Sequence, residues 1–388
     1  MVNRVRFPAY HFAGFSAFSS ALCFILLGTA LTSCVSDKDV VRVNGARPKY
    51  GDKRIELKKL YTVDVTRINM FIRDTRGGFK NVVDFDKDKN MYILDTFESK
   101  ISVFDAQGRP VRSFGGPGQG PKEFSRPGML FILDDAIYIW QGFVNEFKIM
   151  SLDGEFVSTR RVSYENPLRY FVAGGDIYLF SGKTERSFTK LEFILRRFPG
   201  GRFENEETLF AKDYPPGLRG PEYDFVWPDW LLVSDNGEYF FPEDNLSKYS
   251  ITKYSRRGKP ALVFGRDYAV REYSKKARDR FYSLFRRDID AGMRKFPETP
   301  PVVRKMFQDQ RKNAWVVVGE IFEDSEDPGF ENTVDVFSAK GEWLYSFKSK
   351  LISRNTLYDG GRFYSVPPVN METFEQHIDV YEIRFDRP

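Results

Sequence analysis

The sequence predicts an all-β fold, a six-bladed β-propeller with a helical insertion between blades four and five, and two observations lead there. The first is a run of short apolar bursts between Asp84 and Phe124. Met91 to Leu94, Ile101 to Phe104 and Val111 to Phe114 are each four residues long and rich in β-branched or aromatic side chains, a length and composition that suit strands. The segments between them are rich in Asp, Asn and Gly, which supply the local hydrogen bonds and left-handed backbone of tight turns. With a strand over Val82 to Phe85 they form a four-stranded meander. Alone in water, that sheet would have two open edges and apolar residues on both faces, so it must stack against copies of itself.

The second observation is that copies exist. FDAQGRPVRSF (104–114) aligns with MSLDGEFV (150–157), YSRRGKPALVF (254–264) and FSAKGEWLYSF (337–347), and a shorter version is FPGGRF (198–203). The turn glycines at 108, 154, 201 and 258 are 46, 47 and 57 residues apart, close to the ~40–50 residues of one propeller blade. The next interval, to Gly341, is 83 residues and must hold additional structure.

The first unit resembles the NHL repeat of β-propellers. It carries a strand ending in Asp95, the ISVFD strand (101–105) with turn Gly108, and an FGGPGQGPKEF tail (114–124) followed by Pro127. The other units keep only the strand and turn skeleton. The wider resemblance is to six-bladed propeller lipoproteins of Bacteroidota-like genomes, which implies a fold and a location and leaves the activity open.

In chain order, residues 1–33 have Arg4 and Arg6, no acidic residue, and an apolar run over 21–30 that is short for a bilayer span. This reads as a signal peptide. It ends in Leu31-Thr32-Ser33-Cys34, a match to the bacterial lipobox, so Cys34 is the expected site of acylation and the mature N-terminus. Cys23 would be removed, which leaves no second cysteine for a disulfide. Residues 34–53 are expected as a tether. Within it, SDKD (36–39) is similar to the short charged signal that sends some such lipoproteins to the cell surface. The outer membrane or cell surface is the expected location, with a periplasm-facing anchor as the alternative.

RIELKKLYTVDV (54–65) alternates as a strand and is assigned to the outermost position of the last blade, because propellers close by pairing strands from the two termini. The propeller is expected over 54–388. Blade one covers roughly 81–115, blade two 129–162, blade three 170–210 and blade four 230–264. Ala269, Tyr273, Ala277, Phe281, Leu284, Phe285, Ile289, Met293 and Phe296 then recur at helical spacing, predicting an amphipathic helix or helix pair over about 268–297. Blades five (302–347) and six (355–384) follow, the sixth lacking a fourth strand of its own.

Several stretches carry candidate chemistry. Asp84, Asp86, Asp88 and Asn90 place oxygen ligands at alternate positions, but a calcium loop needs Gly sixth and Glu twelfth, where this chain has Lys89 and Asp95. The segment is read as a strand-to-strand turn; calcium stays an open cofactor, and none is assigned. The GGPGQG run (115–120) has no helical pattern behind it to cradle phosphate, and is read as a blade connector.

Residues 269–296 hold nine basic residues against four acidic ones. Arg286, Arg287, Arg294 and Lys295 are the candidate contacts to an anionic partner, the alternative being a solvated helix face. Tyr223, Trp227 and Trp230 sit in a connector dense in prolines and rings. They either bind a sugar or peptide, or cap a blade.

Cleavage after Ser33 removes two positive charges and leaves 57 basic against 54 acidic residues, a balance that points away from nucleic acid. The mature chain has one histidine, His377, and no free cysteine, so a zinc site ligated by several histidines and a Cys–His dyad are not expected. No catalytic or metal residue is assigned. The expectation is a lipid-anchored envelope protein that binds or scaffolds a protein or glycan partner. The alternative is a metal-dependent hydrolase or lactonase using carboxylates in the central channel.

Overall fold

The structure is a computed structural model, and it describes residues 41–51, 55–66, 68, 81–142, 144–162, 167–184, 191–214, 230–243, 247–269, 272–273, 275–290, 299, 301–318, 331–353, 356–366 and 375–385. It begins with β1 (Val41–Asn44) and β2 (Ile55–Asp64). Blade one is β3 (Val83–Phe85), β4 (Met91–Asp95), β5 (Lys100–Phe104) and β6 (Pro110–Gly115). Blade two is β7 (Pro127–Leu133), β8 (Ala136–Gln141), β9 (Glu146–Ser151) and β10 (Phe156–Arg161). Blade three is β11 (Pro167–Ala173), β12 (Asp176–Thr184), β13 (Leu191–Phe198) and β14 (Glu207–Tyr214). Blade four is β15 (Leu232–Val233), β16 (Tyr239–Pro242), β17 (Ser250–Tyr254) and β18 (Pro260–Arg266). Helix α1 (Lys275–Asp290) follows. Blade five is β19 (Val303–Gln308), β20 (Ala314–Val318), β21 (Asn332–Phe337) and β22 (Trp343–Ser349). Blade six is β23 (Thr356–Asp359), β24 (Arg362–Ser365) and β25 (His377–Phe385), completed by β2.

The ring closes through β2, which runs antiparallel to β25 from Ile55↔Phe385 to Asp64↔His377. Packing closes it as well. Blade six contributes Tyr364, Ile378 and Val380 to the core that holds Ile93 and Ile101 of blade one and Ile137 and Met150 of blade two. Phe147 of blade two and Leu179 of blade three share the next cluster. Tyr178, Phe241 and Val316 join blades three, four and five, and Trp315 and Phe363 join five to six. Each sheet thus buries its apolar faces against both neighbours, which a single meander cannot do alone.

The repeated turn glycine has a packing reason. Gly154 sits at φ 86, and a Cβ there would lie 2.6 Å from the Phe114 ring of the preceding blade. Only glycine combines the left-handed backbone with that approach.

Residues 41–51 lie in the stretch expected as a tether, and they pack on the ring. β1 runs parallel to β18, with Val41↔Val263 and Asn44↔Arg266. The Lys49 N–H then donates to Trp343 O (2.8 Å) and the Tyr50 N–H to Leu344 O (3.0 Å) on blade five. One segment therefore straps the outer edges of blades four, five and six in succession. Four residues of VRVN carry too short a pattern to reveal this, because the pairing partner supplies the strand.

Candidate interaction face

Up-and-down topology sorts the connections of each blade between two ends. First-to-second and third-to-fourth turns share one end; second-to-third turns and links to the next blade share the other. The first end is built from short turns with internal hydrogen bonding. Asp86 Oδ1 accepts from the N–H groups of Asp88 and Asn90 (both 2.9 Å), and its Oδ2 accepts from Asn90 Nδ2 (2.8 Å). Asp309 of blade five repeats the arrangement, accepting from the N–H groups of Arg311 and Asn313, from Asn313 Nδ2 and from Trp315 Nε1. Asp86 is therefore the hub of a turn, as the sequence reading holds. Among the described residues, no group of three His, Cys, Asp or Glu side chains is placed to hold a metal ion.

The other end carries the long links: β6 to β7, β14 to β15 and β18 to β19 all join there. The glycine-rich connector after β6 is fixed from beneath by blade two. Gly115 (φ 97) leaves room for Phe124, whose Cε2 would be 2.4 Å from any Cβ added there. The buried Lys148 Nζ donates to Gly120 O (2.7 Å) and to Glu123 O, and Gln141 Oε1 accepts from the Ser125 N–H (2.6 Å). Burial lowers the Lys148 pKa, an effect Glu146 and Glu123 offset only in part. In the neighbouring turn, Asp95 Oδ1 accepts from the N–H groups of Phe97 and Glu98 (both 2.9 Å), holding Phe97 out in solvent.

Helix α1 begins at this end. Lys275, Arg278, Asp279, Tyr282, Ser283, Arg286, Arg287 and Asp290 are exposed along it. Arg278 pairs with Glu272 at 2.6 Å and Arg286 with Asp290 at 3.7 Å. Arg286 and Arg287 thus sit on the solvent side.

Trp230 requires a correction. It is 2 % exposed, its ring set edge-on against Phe180 and Phe193 (5.8 Å each) and Phe241 (5.1 Å). It is a core residue between blades three and four, in keeping with the blade-capping alternative rather than an exposed stacking surface. A ring-rich, proline-rich connector looks the same in sequence whether its aromatic side chains point inward or outward. Tyr223, Trp227, Arg294, Lys295 and Cys34 lie outside the described residues. His377 starts β25 opposite Asp64 of β2, its Nε2 3.8 Å from Asp379 Oδ2.

Charges inside the ring tie blades together. Asp176 is buried and accepts from Arg197 Nε (2.6 Å) in its own blade and Arg256 Nε (2.8 Å) in blade four. Against the desolvation of the site, Arg256, the Gly200 N–H and Arg197 hold its carboxyl below the usual range. On the first strand of blade one, Asp84 Oδ2 accepts from the Ile132 N–H of blade two at 2.7 Å. Desolvation pushes the Asp84 carboxyl up to about 7, outweighing that bond and one from the Phe85 N–H.

A family model described as a six-bladed β-propeller, DUF5128, matches residues 83–192. Among solved structures, a DUF4221-family member from Bacteroides vulgatus is 12 % identical, covering 86 % of this chain and 99 % of that one, with a TM-score of 0.49. A putative exported protein from Bacteroides fragilis is 10 % identical, covering 89 % and 99 %, with a TM-score of 0.47. A streptogramin B lyase is 11 % identical, covering 86 % and 98 %, with a TM-score of 0.41. No curated protein matches the chain. The chain folds as an all-β six-bladed propeller.

Proposed function

We propose that this chain is a binding or scaffolding propeller of the cell envelope, anchored through a lipid on Cys34, which presents its connector end to a protein or carbohydrate partner. One observation carries the reading. The two ends of the ring are built differently: one is closed by short turns, and the other gathers the long links together with the helix. A ring of stacked sheets supports such loops without depending on them, so their sequence is available for recognition. The first unit and its glycine-rich tail are of the NHL type in this reading, and 268–297 acts as an insertion whose outward Arg286 and Arg287 favour an anionic group on the partner.

The test is capture from envelope extract using the lipidated protein, in parallel with a form lacking 268–297. The reading predicts a specific partner retained by the first and reduced at least tenfold with the second. Equal capture by both forms would remove the insertion from the account. Failure of a Cys34→Ala form to leave the membrane fraction would remove the anchor.

A further inference from the structure

Three of the aligned turns, in blades two, four and five, share the same hydrogen bonds, and those of blades two and five differ in what covers them. In blade two, the Ser151 N–H donates to Glu155 O (2.8 Å), the Gly154 N–H to Ser151 O (3.0 Å) and the Glu155 N–H to Ser151 Oγ (3.1 Å). In blade five, Ser338, Gly341 and Glu342 repeat these bonds at 2.8, 2.8 and 3.0 Å. The next residues also correspond, Gly-Glu-Phe-Val at 154–157 against Gly-Glu-Trp-Leu at 341–344. Phe156 pairs with Met150 as Trp343 pairs with Phe337.

In blade five this edge is occupied by the chain's own strap. Asn44 Oδ1 accepts from the Trp343 N–H at 3.0 Å, while Lys49 and Tyr50 donate from their backbones to Trp343 O and Leu344 O. Glu342 is paired by Arg42 (2.9 Å) and Lys49 (3.7 Å), and the Tyr50 ring lies 5.0 Å from Tyr345. Arg266 covers the Trp343 ring from blade four at 4.8 Å. Trp343 and Leu344 are left 7 % and 8 % exposed, whereas Phe156 and Val157 are 40 % and 57 % exposed. The acidic side chains persist there: Glu155 is exposed and meets Lys122 at 2.6 Å, and Asp153 is exposed beside it. Blade one has Pro110 where blade two has Phe156, and proline is a usual guard for a sheet edge. Blade two keeps an apolar edge without that guard.

We propose that the outer edge of blade two at Gly154–Val157 is a docking site for an extended, cationic, aromatic-bearing segment of a partner protein, held as residues 44–50 are held on blade five. The segment adds main-chain hydrogen bonds to the edge, covers Phe156 and Val157, and sets a basic side chain on Glu155. This site lies on the rim and does not depend on the connector end.

The probe is a labelled peptide with the sequence of residues 42–50, RVNGARPKY, titrated into the mature protein with its own strap intact. Saturable binding is expected, with a photo-crosslinker at the peptide tyrosine marking blade two. Phe156→Ser combined with Glu155→Lys should weaken binding at least tenfold without moving the melting curve, and Val157→Ser alone should weaken it several-fold. The proposal is overturned if no saturable binding appears up to millimolar peptide, if the variants bind equally, or if the crosslink falls on blades four and five. It is also overturned if the Phe156 substitution abolishes a dimer of this chain while peptide binding is unaffected.

Discussion

Replacing Asp84 by Asn should change how stability depends on pH. The carboxyl accepts hydrogen bonds from the Ile132 and Phe85 N–H groups, yet desolvation raises its pKa from 3.8 to about 7, with Asp359 adding to the rise and Lys89 opposing it. The folded chain therefore keeps a proton on Asp84 between roughly pH 4 and 7, where the unfolded chain releases it. The contribution is complete below pH 4 and is lost as pH rises through 7. About three pKa units at 1.36 kcal/mol each set a ceiling of about 4 kcal/mol, reduced because Asp84 is only partly buried. Asn keeps an acceptor for Ile132 and cannot ionise, so Asp84→Asn should match the parent near pH 4 and exceed it at pH 8 by about 2–4 kcal/mol. Urea unfolding of both proteins between pH 4.5 and 8 provides the difference curve. Parallel curves, or an Asn form less stable at pH 8, would refute the placement of this carboxyl between the first two blades.

Other consequences follow from the same contacts. Asp309→Ala strips acceptors from four donors in a buried turn, two of them side chains, and should cost about 3 kcal/mol in thermal unfolding. Trp230→Ala opens a cavity among Phe180, Phe193 and Phe241 and should cost about 3–5 kcal/mol, while Trp230→Phe retains partner capture. Lys148→Met leaves Gly120 O and Glu123 O without their donor. It should raise hydrogen exchange across residues 116–126 and leave blades four to six unchanged.

Much of the architecture was legible because tight turns leave local marks. Gly108, Gly154, Gly201, Gly258 and Gly341 all have positive φ, and their spacing placed the blades. The alternation in 54–65 and the missing fourth strand of blade six together pointed to the β2–β25 pairing. Features that depend on distant partners were not legible. β1 is a strand only because β18 receives it, and Trp230 is buried only because rings from blades three and four converge on it. The match of Gly-Glu-Phe-Val to Gly-Glu-Trp-Leu is visible in sequence, but which copy is covered is decided by a strap from elsewhere in the chain.

The ring's closure by its first long strand is best tested with cysteines at Lys58 and Glu382, which stand opposite each other in the β2–β25 register. Mild oxidation followed by peptide mapping should recover a disulfide joining these positions in high yield, with none when the second cysteine is moved to His377. Absence of the 58–382 crosslink, or equal yield at 377, would contradict the closure and the strap built upon it.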